Sequence, residues 1–473
     1  MVSSTIIGGS SVRPQAAVRF MPESADLTLA PQDYSLLTDL YQLTMAACYA
    51  GEGVHQQRAS FELFARHLPP DCGYLVAMGL EQGLAYLQQW WFSPQQIEAL
   101  QATGLFENAP EGFWSLLAEG SFSGDVWAVP EGTPVGASEP ILRVEAPLWQ
   151  AQLAETYLLN AINYQTLVAT RAARLREAAG EGARLLEFGT RRAFSPQASL
   201  WAARAALAAG LDATSNILAA LQLGRQPSGT MAHSLVMAIG TLRGGEDEAF
   251  AAFHRYFPQA PLLIDTYDTV AAARRLARWV QQGQMQVRGV RIDSGDIAAL
   301  SQQVRSLLPE TAIFASGDLD EHEVEGLVRA QAAIDGYGIG TQLVTGSPVN
   351  GVYKLVDIGG EPTLKQSSDK ETHAGRKQIL RRWDGDGAAA DRLGTAEEPP
   401  QTGERALLEC VMAGGERTRA AESLQAIQQR VRSEVAQLPL SARRLQSPVP
   451  LPVAISPALQ QLDRAARARG EHG

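Results

Sequence analysis

Between residues 184 and 353 the chain repeats one pattern. A short apolar run ends abruptly in small and polar residues, and a segment of helical period follows. The runs are Arg184–Phe188 into Gly189-Thr190-Arg191-Arg192, Leu262–Ile264 into Asp265-Thr266-Tyr267-Asp268, and Gly289–Ile292 into Asp293-Ser294-Gly295-Asp296. Ala312–Phe314 leads into Ala315-Ser316-Gly317-Asp318, Ala333–Tyr337 into Gly338-Ile339-Gly340-Thr341, and Gly351–Tyr353 into Lys354. Thr269–Gln282, Ile297–Leu308 and Glu321–Gln331 are helical segments between them. Strand, polar turn and helix in alternation imply parallel strands joined by crossovers. This many units favour a TIM-like α/β barrel over an open sheet. Polar groups at the C-terminal ends of barrel strands converge on one mouth. Arg191, Asp265, Asp293, Asp318, Thr341 and Lys354 are therefore candidates for a single site.

The chain has 473 residues, more than one domain of about 150 residues accounts for. Its texture divides it into a disordered leader (1–31), an N-terminal α+β domain (32–150), the barrel (151–365) and a C-terminal segment (366–473). Residues 32–50 are expected to form an amphipathic helix entered through Asp33 or Ser35. Residues 383–404 are expected to be an exposed loop, and 439–458 an extended, Pro-limited stretch. A net charge of −11 argues against a nucleic-acid protein held by bulk charge. No apolar run reaches the roughly 18 to 20 residues of a membrane span. Cys48, Cys72 and Cys410 lack paired spacing, which suits a reducing compartment and excludes a cysteine zinc site. The leader lacks the apolar stretch of a secretion signal. Its Ser and Arg content leaves a transit peptide as the lesser alternative, and a cytoplasmic protein is expected.

Only four of the forty basic residues are lysine, and all four (Lys354, Lys365, Lys370, Lys377) fall together beside a single arginine, Arg376. Compact ammonium groups kept in one stretch suggest a segment that faces phosphate near the barrel mouth. A solvated charged hairpin is the plainer alternative.

The strand-end residues share a chemical character. Gly-rich turns that run into helix N-termini bind phosphate, because their N–H groups are unpaired. Arg191 and Arg192 add a clamp for oxyanions. Asp293 and Asp318 suit a sugar diol or Mg²⁺. Phosphate, diol and metal together describe a phosphorylated sugar, although each residue taken singly is equally a turn or N-cap residue. His233 lies in Ser228-Gly229-Thr230-Met231-Ala232-His233-Ser234, a polar entry into an apolar stretch. There it suits a general base, a metal ligand, a phosphoryl acceptor or a capping histidine. No Gly-Lys-Ser/Thr of a P-loop occurs, and Gly336-Tyr-Gly-Ile-Gly-Thr matches a dinucleotide fingerprint only loosely.

Six motifs, in this order over residues 33–380, resemble nicotinate phosphoribosyltransferase. They are Thr38-Asp39-Leu40-Tyr41-Gln42-Leu43-Thr44-Met45, Glu187-Phe188-Gly189-Thr190-Arg191-Arg192, Gly229-Thr230-Met231-Ala232-His233-Ser234, Val290-Arg291-Ile292-Asp293-Ser294-Gly295-Asp296, Ser316-Gly317-Asp318-Leu319-Asp320 and Gly338-Ile339-Gly340-Thr341. The resemblance implies a type II phosphoribosyltransferase: an irregular α/β barrel with a second α/β domain built from both chain ends. The implied reaction joins nicotinate to 5-phosphoribosyl 1-diphosphate, with ATP hydrolysis coupled to it, as the entry step from nicotinate into NAD synthesis. Carried over by resemblance, His233 is the histidine phosphorylated by ATP. Thr230, Arg291 and Tyr41 contact nicotinate, Tyr41 from a neighbouring subunit, which implies a homodimer with shared sites. Asp293, Gly317 and Asp318 bind ribose, Gly340 and Thr341 the 5-phosphate, and Arg191 lies near the diphosphate and the ring. Phe188 and Lys354 complete the substrate-binding set, and His233, Arg191 and Asp293 the catalytic one. Mg²⁺ is expected to be held through phosphates with no direct protein ligand, a contact from Asp265 or Asp293 being the alternative.

A nicotinamide-using relative carries an Asp in the segment matching Leu211-Asp212-Ala213-Thr214-Ser215-Asn216. Ser215 or Thr214 at that place suits an anionic ring substituent, whereas Asp212 would not. Ala374 stands where the family usually has proline before Gly375, which predicts a more mobile turn. The rival readings are a nicotinamide-type enzyme, a Schiff-base aldolase with Lys354 as nucleophile, and a silent barrel that only binds a phosphoribosyl ligand.

Overall fold

The computed structural model describes residues 27–365, 372–384 and 387–470. Most of the expected leader, and Lys370, lie outside them. Two β-sheets organise the chain, and one long helix ties them together.

The first sheet is antiparallel and seven-stranded, in the order Glu361–Pro362, Gly351–Ile358, Arg58–Ala65, Leu142–Pro147, Asp125–Ala128, Glu409–Ala413, Glu416–Arg417. Arg58–Ala65 is buried on both faces beyond its first residue. Phe61 stacks on Tyr353 of the neighbouring strand with ring centroids 5.0 Å apart, a cross-strand aromatic pair of the kind that stabilises sheets. The run at Gly351–Tyr353 thus continues to Ile358 and pairs antiparallel with Arg58–Ala65, Lys354 opposite Glu62. It is not a barrel strand. The expectation that Lys354 ends one, and that the barrel unit extends to 365, is corrected, because an apolar run carries no record of its partner.

Glu62 is completely buried, a position that demands a countercharge. Lys377 supplies it, with Nζ 2.8 Å from Glu62 Oε2. The same ammonium donates to the carbonyls of His373 and Gly375. Lys377 therefore faces a carboxylate inside the sheet, not phosphate. Ala374 is equally fixed: it is buried and its N–H donates to Asp463 Oδ1 at 2.8 Å. A proline could not make that bond, so the substitution expected to loosen the turn gives it a new anchor.

The second sheet has six parallel strands in the order Ala213–Thr214, Arg184–Glu187, Gly336–Ile339, Ala312–Ser316, Gly289–Ile292, Leu262–Leu263. Strand pairing does not join the two edges among the described residues. A connecting segment bridges them: Ser228 N–H donates to Thr214 O at 2.9 Å, and the Thr230 hydroxyl donates to Pro261 O. Residues of Arg184–Glu187 and of Gly289–Ile292, three strands apart, line one cavity, so the sheet curls around it. The helix Glu155–Ala179 packs its first half, Tyr157 to Ile162, into the core of the first sheet and its second half, Val168 to Ala173, into that of the second. It packs on Pro196–Ala208 and Glu321–Arg329, with Arg174 buried against Glu321.

Two other expectations change. The N-terminal helix is Leu40–Gly51, preceded by Asp39, because Asp39 is tied to Thr156 and Ser35 is buried. Residues 383–404 are not a loop throughout: Lys377–Asp384 and Gly387–Thr395 pair as a hairpin within a four-stranded sheet. What holds this Ala- and Gly-rich strand is tertiary, namely the buried bidentate pair Arg381–Asp391. No helix among the described residues is long and apolar enough to cross a membrane.

Beside that pair lies Glu139, wholly buried. Burial first, and the Asp391 carboxylate second, push its carboxyl well above the ordinary glutamate range. A carboxyl raised on folding contributes stability at low pH and loses it as pH climbs from its unfolded value through its folded one. Glu139→Gln, which mimics the protonated form, is expected to flatten this decline. Thermal midpoints of the two proteins between about pH 5 and about pH 8 check it, and parallel curves would refute it.

Candidate active site

The turns that follow the parallel strands bring His233, Asp265, Arg291 and Asp293 together. His233 opens the helix His233–Arg243, and its Nδ1 lies 3.1 Å from the Thr266 hydroxyl. Its Nε2 faces Asp265 Oδ1 at 3.9 Å and Asp293 Oδ2 at 3.8 Å, beyond hydrogen-bonding range. That ring nitrogen is open to a ligand. The Asp265 side chain is 1% exposed. Its Oδ2 accepts from the Asp293 N–H at 2.9 Å and the Ser294 hydroxyl at 2.6 Å, and its Oδ1 is buried without a hydrogen-bond partner. Asp265 thus orders the Asp293 turn and leaves one oxygen directed at the imidazole.

Asp293 Oδ1 accepts from Arg291 Nη2 at 3.3 Å and from the Ser316 hydroxyl. Arg291 Nη1 donates to Met231 O at 3.2 Å, while its Nε is buried and unpartnered. The guanidinium borders a cavity of about 490 Å³ that Phe188, Thr230, Phe314 and Gly338 also line. Glycine is needed in that wall: a Cβ on Gly338 would lie 2.5 Å from the Phe188 ring, and one on Gly336 2.7 Å from the Phe314 ring. The spaced glycines of this strand seat two aromatic rings and are no dinucleotide fingerprint.

Gly317 and Asp318 both have positive φ, 98° and 51°. A Cβ on Gly317 would stand 2.2 Å from the Asp293 carbonyl oxygen, so this turn packs directly on the Asp293 turn. Asp318 Oδ1 accepts from the Thr341 hydroxyl at 3.4 Å, which brings the Gly340-Thr341 turn alongside. The long helix secures that turn from behind through Tyr164 to Val344 O and Arg171 to Gln342 O.

Arg191 is exposed on the turn after Arg184–Glu187. Tyr41 lies on Leu40–Gly51, in the part of the chain built around the first sheet, and is 48% exposed. Its phenol donates to Glu155 at 3.4 Å. Lys354 lies in the antiparallel sheet. Asp212 precedes its strand, ion-paired with Arg176 at 2.7 Å, whereas Ser215 follows it: a Cβ on Gly229 would touch Ser215. Ser215 therefore borders the cavity-lining segment and Asp212 does not. Three contributors escaped the sequence reading. Ser316 and Thr266 sit inside the motifs without an assigned role, and Arg171 carries no signal within its helix.

Glu187 is, with Asp265, a second buried carboxyl of the region, 1% exposed. Burial raises its pKa, while hydrogen bonds from Thr214 and Gly189 oppose the rise.

Family models cover most of the chain. The nicotinate phosphoribosyltransferase (NAPRTase) N-terminal domain matches residues 36–163, the NAPRTase family model 183–384, and the C-terminal domain 404–463. A nicotinate phosphoribosyltransferase of Mycobacterium tuberculosis is 38% identical over 434 residues, 89% of this chain and 91% of its own length. That of Bacillus subtilis is 42% identical over 364 residues, 73% of each chain. The crystal structure of human nicotinic acid phosphoribosyltransferase superposes with a TM-score of 0.79 at 29% identity, covering 91% of this chain and 99% of that one. With motifs, strand-end geometry and matches in register along its length, the chain belongs to the nicotinate phosphoribosyltransferase family.

Proposed function

We propose that the protein joins nicotinate to 5-phosphoribosyl 1-diphosphate, giving nicotinate mononucleotide and diphosphate, coupled to ATP hydrolysis through phosphorylated His233. The observation that carries the reading is the placement of Arg291, a half-buried guanidinium whose buried Nε is unsatisfied, between an aromatic-lined cavity and Asp293. Nicotinate is a flat anion, and a fork of N–H donors suits its carboxylate. The Thr230 proton is already given to Pro261 O, which leaves Arg291 as the principal donor. Phe188 offers a face for the ring.

In the reaction the pyridine nitrogen bonds to C1 of the ribose as the bond from C1 to diphosphate breaks. Asp293 and Asp318, at the ends of neighbouring strands, are placed for the sugar hydroxyls, and the Gly340-Thr341 turn for the 5-phosphate. The exposed Arg191 stabilises charge that develops on the leaving diphosphate. Mg²⁺ neutralises phosphate charge when bound. That ion would be carried mainly by substrate phosphates. Asp293 Oδ2, the more open oxygen, would join it. His233 Nε2 is the open nitrogen for a phosphoryl group, and Thr266 fixes the ring. The exposure of Tyr41, Leu40 and Leu37 suits a homodimer in which Tyr41 serves the partner's site.

Product formation from nicotinate or nicotinamide, with phosphoribosyl diphosphate and Mg²⁺, tests the reaction. Turnover of nicotinate is expected, and product from nicotinamide alone would overturn the ring assignment. ATP should stimulate the native protein and have no effect on His233→Ala. Stimulation that survives the substitution would refute the phosphohistidine.

A further inference from the structure

The carboxyl of Glu187 stands between two turns that have different tasks in the proposed reaction. Its Oε1 accepts from the Gly189 N–H, the first amide of the turn that carries Arg191. That turn is closed by Arg192 N–H to Gly189 O at 2.8 Å and Ala193 N–H to the same oxygen at 3.0 Å. The orientation of the Gly189 peptide therefore sets the course of the backbone through Arg191. Gly189 itself has no room for adjustment: a Cβ there would lie 2.3 Å from Val344 and 2.9 Å from Glu187 Oε1.

The other oxygen, Oε2, accepts from the Thr214 hydroxyl. That hydroxyl accepts in turn from the Asn216 N–H at 2.9 Å, so its single proton is committed to Glu187. Asn216 N–H, Thr214 hydroxyl and Glu187 carboxyl form a directional chain that arches over Ser215. Ser215 is also held through its backbone, its N–H donating to Glu187 O at 2.9 Å. On its far side it meets Gly229, next to Thr230 and the cavity.

Leu186 and Phe188 line the cavity, so Glu187 between them projects to the opposite face of the strand. It cannot touch a ligand in the cavity. An acidic group buried away from substrate, with a hydroxyl and an amide as its contacts, has positioning as its chemical use.

We infer that Glu187 is a positioning residue that couples the Arg191 turn to the Ser215 turn, so that the leaving-group side and the ring side of the site are held in register by one carboxyl. This rests on the proposed reaction. Its two arms are separable. Thr214→Val keeps shape but removes the ring-side arm, both the bond to Glu187 and the one accepted from the Asn216 N–H, whereas Glu187→Gln offers an oxygen to only one of the two donors. Thr214→Val is expected to raise the nicotinate KM about tenfold and leave the phosphoribosyl diphosphate KM within about twofold. Thr214→Ser, which keeps the hydroxyl, should restore the native value. Glu187→Gln should raise both KM values about tenfold.

A purely structural bond would instead lower the thermal midpoint and affect both substrates alike in Thr214→Val. That result, or an unchanged nicotinate KM in Thr214→Val, would overturn the inference. Thr214→Val carries the test if Glu187→Gln fails to fold. A native protein that does not turn over nicotinate strikes the functional reading itself. An active native protein that is indifferent to Thr214→Val strikes only the coupling.

Discussion

Arg291→Ala is expected to lower kcat/KM for nicotinate by about three orders of magnitude, close to 4 kcal/mol of transition-state stabilisation. Two losses add. The substrate carboxylate loses its principal cationic partner, and charge-assisted bonds of this kind are among the stronger ones. Asp293 also loses the Nη2 donor that, with Ser316, holds its Oδ1. Arg291→Lys should recover part of the affinity, because a single ammonium restores charge but cannot span both Met231 O and Asp293. Steady-state kinetics with nicotinate varied against saturating phosphoribosyl diphosphate gives the number. A loss below about tenfold would remove Arg291 from the binding role.

Gly317→Ala is expected to cost at least about a hundredfold in kcat/KM and to lower the thermal midpoint. The new methyl would start 2.2 Å from the Asp293 carbonyl oxygen, which is backbone and cannot rotate away. The positive φ of 98° adds about 1–3 kcal/mol for any residue with a side chain. Relief requires the Asp293 and Asp318 turns to separate, the pair proposed to hold the ribose. Gly295→Ala is the matched control. Its φ is 84°, but its Cβ would meet the end of the Leu300 side chain at 3.0 Å, which can shift. The two variants should therefore differ in activity far more than in expression. Equal activity losses would mean that backbone strain, not the clash with Asp293, governs the turn.

The site was legible because parallel strands impose an order that survives in sequence: polar residues at the ends of apolar runs. Asp265, Asp293 and Asp318 become candidates that way and His233 by the character of the segment it sits in, whereas Arg291 and Gly317 are reached only through the resemblance of their motifs. Elements set by distant contacts were not legible. Ala213–Thr214 is two residues long, too short for any period, so the parallel sheet lacked an edge on paper. Gly387–Thr395 has the composition of a loop and is a strand because Arg381 and Asp391 meet across the hairpin. The lysine cluster misled most. Lys377 is kept by a buried carboxylate, Glu62, while Lys354 is a half-buried residue of the strand beside it. Ala374 shows the opposite error, since the missing proline reads as a loss until the Asp463 carboxylate appears opposite its N–H.

The antiparallel sheet also has a temporal side. The parallel sheet possesses all its strands once residue 339 has been synthesised, whereas the sheet begun at residue 58 lacks members until residue 417. At the roughly 5–20 residues per second of a ribosome, the interval between these points is about four to sixteen seconds. Throughout it, Asp125–Ala128 presents an edge whose eventual neighbour, Glu409–Ala413, has yet to be made. The nascent chain thus passes through a stage in which its catalytic half is complete in strands and its other half offers an open edge to any extended segment nearby.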